Sequence, residues 1–589
     1  MRKAKKIISL VTALLVVIGI FSSCGVNKVP GDTNIEANEN EPVDTNEPVP
    51  ELTGLAATWP EFAKQHEVQI LCTEQGWSGP EGDKDFVTPE ISKRTNMLLK
   101  YESLTCANDD AYKQKLNLMA ASSEVPEVFF GYPDAFSQNI YKTLGMNDLI
   151  WDISTMIKDY ENIYSLIKPE LIMYRDTETK ANYSIPTQTG KGDGDPTGGV
   201  PGGIYIREDW LKKLNMSYPK NPDELYTYLK RCKDEIKTVG EKNVIPLTFD
   251  ENLKRMEDKL LAPIFCPLNT YSDGNISYID AFGLVADYKE NKIVNYGYTD
   301  GPELMGAAKF INKLYLEGLL DKEVLTQKRT QYQEKISQGI VALHVAPYWD
   351  SQTFSDNAKA VVPDLMYVAM PSVNAPGVPK YTDAKYTNPV RGYSMITFSK
   401  KLDEETVRHF LATLDYLATK EGQLLVQYGI EGKSYNFGAD GKIQFVEQYL
   451  KDTNDLDWNN QAAYGVQYWA QLVMNAGIIA DITPIDPNID KPDSKISIEN
   501  RKILSETFDA TMDPPKSYYL NAGDVETRKM PALTQAKLEM WAKVINAKSE
   551  ADVETIVHEW AKSCKNIGID EIIAEKQNFL DTFDISSQN

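Results

Sequence analysis

The sequence predicts an α/β protein with at least one largely parallel sheet, and two observations carry the prediction. Between Val68 and Ala135, short apolar runs alternate with amphipathic stretches, the pattern of strands joined by crossover helices. The chain is also 589 residues long, more than a single small core requires and enough for two or more domains. In order, "VQILC" (Val68 to Cys72) reads as a buried strand. "TPEISKRTN" reads as a helix opened by Thr88 with Pro89 in its first turn, and "MLLKYESL" as the next strand. "DDAYKQKLNLMAASSE" repeats Tyr112, Leu116 and Met119 at helical spacing, and "VPEVFFGYPDA" is a strand that ends in a polar turn. Parallel sheets bind ligands beyond the carboxyl ends of their strands. The segments after Cys72 ("TEQGWSGPEG") and after Phe130 ("GYPDA") are therefore candidate walls of a cleft.

The first residues have a different character. Arg2, Lys3, Lys5 and Lys6 precede an apolar run from Ile7 to Phe21, the layout of an export signal and too short for the roughly 20 residues of a membrane-spanning helix. Ser22 and Ser23 before Cys24, with Gly25 after it, resemble the lipobox of bacterial lipoproteins, although Phe21 stands where that motif usually has Leu. Residues 1–23 are thus expected to be a lipoprotein signal peptide and Cys24 the lipidated first residue. Residues 24–62, rich in Asn, Glu, Pro and Thr, are expected to be a flexible acidic tether that adds nothing to a core. The resulting location is the outer side of the cell membrane, reached through the lipid alone.

Composition excludes several partners. With the four basic signal residues removed, 58 Lys and Arg face 85 Asp and Glu, a net charge of −27. Such a surface repels nucleic acid and anionic headgroups. Cys72, Cys106, Cys232, Cys266 and Cys564 are widely spaced and form no CxxC pair, so they offer no zinc site and at most one bridge. His66, His344, His409 and His558 form no HExxH, "GWSGP" fails the GxSxG elbow at its last position, and "GIEGKS" has Gln427 where a P-loop requires its first glycine. "DTNDLDW" (Asp452 to Trp458) opens like a calcium loop but places Leu456 at a ligand position, so it reads as an acidic helix-capping turn, and "KGDGDPT" is a similarly weak calcium candidate. No metal or cofactor is expected.

Several segments, in order, resemble the extracellular solute-binding proteins (family 1) of bacterial carbohydrate ABC transporters, in particular the long lipid-anchored oligosaccharide-binding type of Gram-positive bacteria. They are "YKQKLNLMAASSEVPEVFF", "GGIYIREDWLKKLNMSYPKNPDELYTYLKRCKD", "QEKISQGIVALHVAPYWD", "TVRHFLATLDYLATKEGQLLVQYGIEGKSYNFGADGKI" and the closing "LTQAKLEMWAKVINAKSEADVETIVHEWAK". Glu127 replaces the usual Asp in the first. The resemblance implies a two-lobe, periplasmic-binding-protein-like fold (type II) with a hinge and an interlobe ligand cleft. It places residues 63–200 and 385–430 in an N-terminal lobe, and 201–384 and 431–589 in a C-terminal lobe. It also implies a monomer that captures an oligosaccharide or other small carbohydrate, delivers it to ABC permease subunits and performs no chemistry. A surface glycoside-processing enzyme, needing only two suitably separated carboxylates, and a binder of peptides or another small solute remain the alternatives.

The chain holds 9 Trp, 32 Tyr and 18 Phe. Sugars stack their CH faces on aromatic rings while nearby polar side chains satisfy the hydroxyls, in concave sites with few polar groups. Segments that carry both residue types are the candidates: Trp77 with Glu74, Tyr132 with Asp134, Tyr348, Trp349 and Asp350, Arg391 with Tyr393, and Trp469 beside Tyr468. Trp210 reads as core, and Arg207 with Asp209 as structural.

Overall fold

The strand expected at Val68–Cys72 runs from His66 to Glu74, and "MLLKYESL" becomes the strand Met97–Thr105. In the computed structural model, residues 53–584 are described except for 75–78, 106–108, 132–134, 177, 188–202, 250–252, 268–275, 279–281, 288–289, 347–353, 356, 372, 380–382, 387–393, 455, 474, 483–507 and 513–522. The helix between the first two strands spans Val87–Thr95. Asp85, not Thr88, opens it: the carboxylate accepts from the backbone N–H groups of Val87 and Thr88 at 3.1 and 3.0 Å. Asn96, in the left-handed region at φ 56°, ends it.

The first central sheet has the order Met97–Thr105, His66–Glu74, Val128–Gly131, Ser394–Phe398, Ile185–Thr187. The first three strands are parallel, as expected; Ser394–Phe398 runs antiparallel to them, and Ile185–Thr187, antiparallel to Ser394–Phe398, runs in their direction. Period-two alternation gives the sheet two buried faces. Ile70, Val128 and Ile396 enter one core, and Leu71, Phe129 and Met395 the other. The second sheet runs Tyr367–Ala369, Gly203–Arg207, Val341–Ala346, Ile245–Thr248. Every residue of Val341–Ala346 is buried, as a near-continuous apolar run demands. Ile204, Ile206, Leu343 and Val345 face the larger core, and Tyr205, Tyr367 and Ala369 a smaller one.

The closing segment forms the helices Asp524–Asn546, Glu550–Ile567 and Ile569–Thr582, which supply Trp541, Val553, Val557, Trp560 and Ile572 to the second lobe's core. Ser549 caps the middle helix by accepting from the Asp552 N–H at 3.1 Å. Lys537 is buried here with its ammonium 3.2 Å from Glu257, and it donates a second bond to the Phe282 carbonyl at 2.8 Å. A buried charge demands this double satisfaction.

Two boundaries differ from expectation. Residues 431–473 pack on the first lobe, not the second: Tyr449, Val466, Trp469, Leu472 and Val473 share its core with Val68 and Ile91. Apolar side chains spread along this segment leave no other place to bury them. At the other end, Trp59 and Phe62 fall in the stretch assigned to the tether, yet they are only 8% and 3% exposed and belong to the same core. The Trp59 indole N–H donates to the Asp415 carboxylate at 2.9 Å. The folded body therefore begins before residue 59. Cys232, Cys266 and Cys564 are buried. Asp457 caps the helix Trp458–Ala463 by accepting from the Asn460 N–H at 3.0 Å, so the acidic turn serves as a cap.

Candidate functional site: the facing edges of the two sheets

The register of the first sheet puts four chain ends on one edge. Leu71 pairs with Phe129, Met395 with Gly131, and Ser394 with Thr187. Glu74, Gly131, Thr187 and Ser394 therefore stand together where the parallel strands finish. From them depart the segments 75–78, 132–134, 188–202 and 387–393. Thr187 and Ser394 are joined hydroxyl to hydroxyl at 2.9 Å, so the two strands through which the chain leaves and re-enters this sheet are stitched at their tips. This also explains why Ser394–Phe398 is antiparallel: it enters the sheet from the edge at which its parallel neighbours leave.

Close packing supports this edge. The Tyr112 hydroxyl donates to the Phe130 carbonyl at 2.5 Å, fixing the strand end. Gly131 is needed because a Cβ there would stand 1.8 Å from the Tyr141 hydroxyl. Gly79 and Pro80, where the described chain resumes after Trp77, are buried, and the Tyr101 hydroxyl donates to the Pro80 carbonyl. The rings of Tyr101 and Tyr468 lie 5.8 Å apart behind Gly79.

The second sheet has a matching edge. Ala346 pairs with Gly203, and Met370 donates to the Ile204 carbonyl at 2.8 Å, so the segments 347–353 and 201–202 leave side by side. Residues 188–202 join this edge directly to Thr187 of the first. The carboxyl ends of the parallel strands of each sheet thus lie on the edge from which residues 188–202 connect the two sheets in sequence, and the carboxyl edge is the one that open α/β sheets use for ligands.

Beneath the second edge, His344 is enclosed by aromatic rings. Tyr205 stacks on it at 5.4 Å, Tyr367 meets it edge-on at 4.7 Å, and Tyr332 and Phe354 complete the wall. Tyr332 donates its hydroxyl proton to the Val345 carbonyl at 2.7 Å and stands 3.2 Å from His344 Nδ1, which therefore carries the imidazole proton. Burial pushes the His344 pKa down to about 3, so the ring is neutral. Arg207, 1% exposed, forms a fork with Asp209, donates to the Gly339 carbonyl and lies over the Trp210 ring at 4.1 Å. These three residues are structural, as the sequence suggested. Desolvation opposes the Arg207 charge, but the hydrogen bond to Asp209, together with the nearby Tyr367, Asp209 and Tyr228, raises its pKa overall.

The expected site residues fall into three groups. Trp77, Tyr132, Asp134, Tyr348, Trp349, Asp350, Arg391 and Tyr393 lie outside the described residues, as does Cys24; the strand ends that flank the site segments lie on the edge of each sheet given above. Glu74 is the last residue of its strand. Trp469 is corrected: it is 1% exposed, sits in the first lobe's core and donates its indole N–H to the Thr88 hydroxyl at 2.6 Å. Its polar atom is already satisfied by protein, so it is a packing residue. Its neighbour Tyr468 is only partly buried. Sequence reasoning read the strand "MLLKYESL" but did not name its Tyr101, whose single signal was an aromatic within that strand. Among the described residues no group of three or more His, Cys, Asp or Glu is arranged to hold a metal ion, and no helix is long and apolar enough to cross a membrane.

Comparison with solved structures decides the fold. The chain superposes with a TM-score of 0.61 on the crystal structure of alginate-binding protein AlgQ2 without calcium ion, at 19% identity, covering 87% of this chain and 98% of that one. It superposes equally, at 0.61 and 16% identity over 88% and 99% of the two chains, on the Streptococcus pneumoniae ABC-transporter substrate-binding protein FusA in complex with kestose. This chain has the solute-binding-protein fold. Two relatives in Bacillus subtilis accord with it. The polygalacturonan/rhamnogalacturonan-binding protein YtcQ is 27% identical over 380 residues, 63% of this chain and 67% of YtcQ. Lipoprotein LipO is 24% identical over 493 residues, 83% of this chain and 88% of LipO. No family model matches the chain.

Proposed function

We propose that this protein is a lipid-anchored, extracellular substrate-binding protein that captures an oligosaccharide between its lobes and delivers it to an ABC permease. The observation that supports the reading is that the strands flanking the segments rich in aromatic and polar residues end on one edge of each central sheet, and that Ile185–Thr187 and Gly203–Arg207 lead the chain from one of these edges to the other. A ligand there touches both lobes at once and makes its full set of contacts only when they close, so it favours the closed form by the difference. Trp77, Tyr132 and Trp349 supply stacking rings. Glu74, Asp134, Asp350 and Arg391 hold the hydroxyls, and Arg391 is the cation in the set that pairs with a sugar carboxylate. Cys24 carries the lipid, and the body works as a monomer without catalysis.

The test is incubation with defined oligosaccharides. Galacturonate oligomers and fructo-oligosaccharides come first, because YtcQ and a second relative, the fructooligosaccharide-binding protein FusA (26% identical over 270 residues), are named for those classes. A thermal shift and a calorimetric binding signal with the sugar recovered intact support the proposal. Turnover of the sugar overturns it in favour of a glycoside-processing enzyme, and binding of peptides but of no sugar moves it to another solute class.

A further inference from the structure

The last helix of the chain belongs to one lobe and reaches into the other. Helix Ile569–Thr582 buries Ile569, Ile572 and Leu580 in the second lobe's core. Polar contacts lock it there. Glu575 accepts from the backbone N–H groups of Val525 and Glu526, both at 2.9 Å, and caps the helix Asp524–Asn546. The buried Lys576 ammonium lies 2.5 Å from the Glu526 carboxylate, and Gln577 accepts from the Ile293 N–H at 2.9 Å. Two helices and the strand Lys292–Asn295 thus move as one body.

At its far end the same helix carries Phe579 and, just beyond it, Phe583. Their rings are stacked, with centroids 4.6 Å apart and planes 20° from parallel. Both pack against the core of the first lobe made by Leu71, Phe129, Ile140 and Met395. A second link lies on helix Asp524–Asn546. The Asp524 carboxylate is 3.9 Å from the Lys142 ammonium of the first lobe, which also holds Glu178 at 2.7 Å. That ion pair is long and exposed at Asp524, so it contributes little; the apolar pair dominates.

We infer that Phe579 and Phe583 are positioning residues for the ligand site: as an aromatic pad fixed to the second lobe and seated on the first, they set the resting angle between the lobes and through it the affinity for ligand. The inference rests on the interlobe reading of the site. Any rotation of one lobe against the other must slide or lift this pad, because the helix that bears it cannot turn independently. Apolar contact is short-ranged, so the seated geometry is favoured over geometries that expose the rings. A ligand that needs a different lobe angle sees an affinity reduced by the fraction of molecules that already have it. The pad therefore tunes binding from a helix that bears none of the candidate ligand residues.

The experiment uses the full chain with Phe579→Ala and Phe583→Ala together, and a second variant with both changed to Leu. Small-angle scattering gives the radius of gyration without ligand, and calorimetry gives Kd for trigalacturonate and for kestose. The alanine pair is expected to change the unliganded radius and to shift Kd at least threefold. The signs are linked: a more extended unliganded protein binds more weakly, a more compact one more tightly. The leucine pair, which keeps most of the apolar contact, should return at least half of both changes, and if the alanine pair does not fold it carries the comparison alone. A Kd within twofold of wild type overturns the inference, as does a Kd change with unaltered scattering. If wild type binds neither sugar in these or wider panels, the proposed sugar ligand falls, and the scattering of the variants alone still decides whether the pad sets the lobe angle.

Discussion

Replacing Trp59 by alanine should destabilise the first lobe severely, although the residue lies in a stretch whose composition resembles a linker. Its ring is 8% exposed, stacks on Phe62 at 5.6 Å and meets Tyr416 edge-on at 5.6 Å. Truncating a buried Trp costs about 3–5 kcal/mol. The indole N–H is one of three donors to Asp415, which also accepts from the Asn162 side chain and the Ile163 backbone, each at 2.9 Å. Removing one donor from a carboxylate that is 4% exposed adds about 1 kcal/mol. The sum, about 4–6 kcal/mol, rivals the whole stability of a marginal domain. Trp59→Phe keeps a ring and loses the donor, so about 1–2 kcal/mol is expected. The assay is urea denaturation of a chain beginning at Gly54, compared with both variants and with a chain beginning at residue 63. The chain from 54 should match the full mature protein and the chain from 63 should lose at least as much as Trp59→Ala. If the two truncations agree within about 1 kcal/mol, Trp59 and Phe62 do not secure the lobe and the reasoning fails.

Four further outcomes are expected. Because the folded-state pKa of His344 is depressed to about 3 from 6.5, the neutral ring contributes stability above the unfolded value that is lost as pH falls through that window. Between pH 7 and 5 the loss is about 2 kcal/mol, and His344→Phe should flatten the stability profile by about one proton; an unchanged slope refutes the assignment. Cys24→Ala should abolish metabolic labelling with fatty acid, whereas equal labelling of mutant and wild type removes the lipobox assignment. Trp349→Ala should weaken ligand binding by about thirtyfold, the effect of losing an anchor of about 2 kcal/mol, and change stability by less than about 1 kcal/mol. Trp469→Ala should do the reverse, costing about 3–5 kcal/mol of stability; a Trp469 variant that folds normally and binds weakly would restore it to the site.

What the sequence revealed was whatever local pattern dictates. The strands at Val68, Met97 and Val128 and the helices between them follow from period and capping over a few residues, and they stand within two or three residues of where pattern put them. The failures involve partners far apart in the chain. Trp469 bonds Thr88 across 381 positions and Trp59 bonds Asp415 across 356. No window of sequence contains both members of either pair, so an aromatic next to polar residues read as a ligand contact in one case and as linker in the other. The lobe boundary at 430 failed similarly. After Gly429, whose φ of 90° turns the chain, the hairpin Tyr435–Phe437 and Ile443–Phe445 looks like an exit, but it folds back onto the lobe it seemed to leave. The site was legible only as a set of segments. Their convergence depends on sheet register, which pairs Met395 with Gly131 across 264 positions.

One strand also separates two mechanical roles. His66 begins it beside the Trp59 and Phe62 clamp, and Glu74 ends it at the proposed ligand edge, a distance of about 30 Å for nine extended residues. A pull on the N-terminus is taken up first by indole, Asp415 and the helix Glu404–Leu417, in shear against a packed core, and not by peeling the parallel strands apart from their ends. With the proposed anchor at Cys24 and the proposed ligand edge at Glu74, tension on the one and occupancy of the other would fall at opposite ends of the same sheet, so a load on the N-terminus need not distort the edge at Glu74.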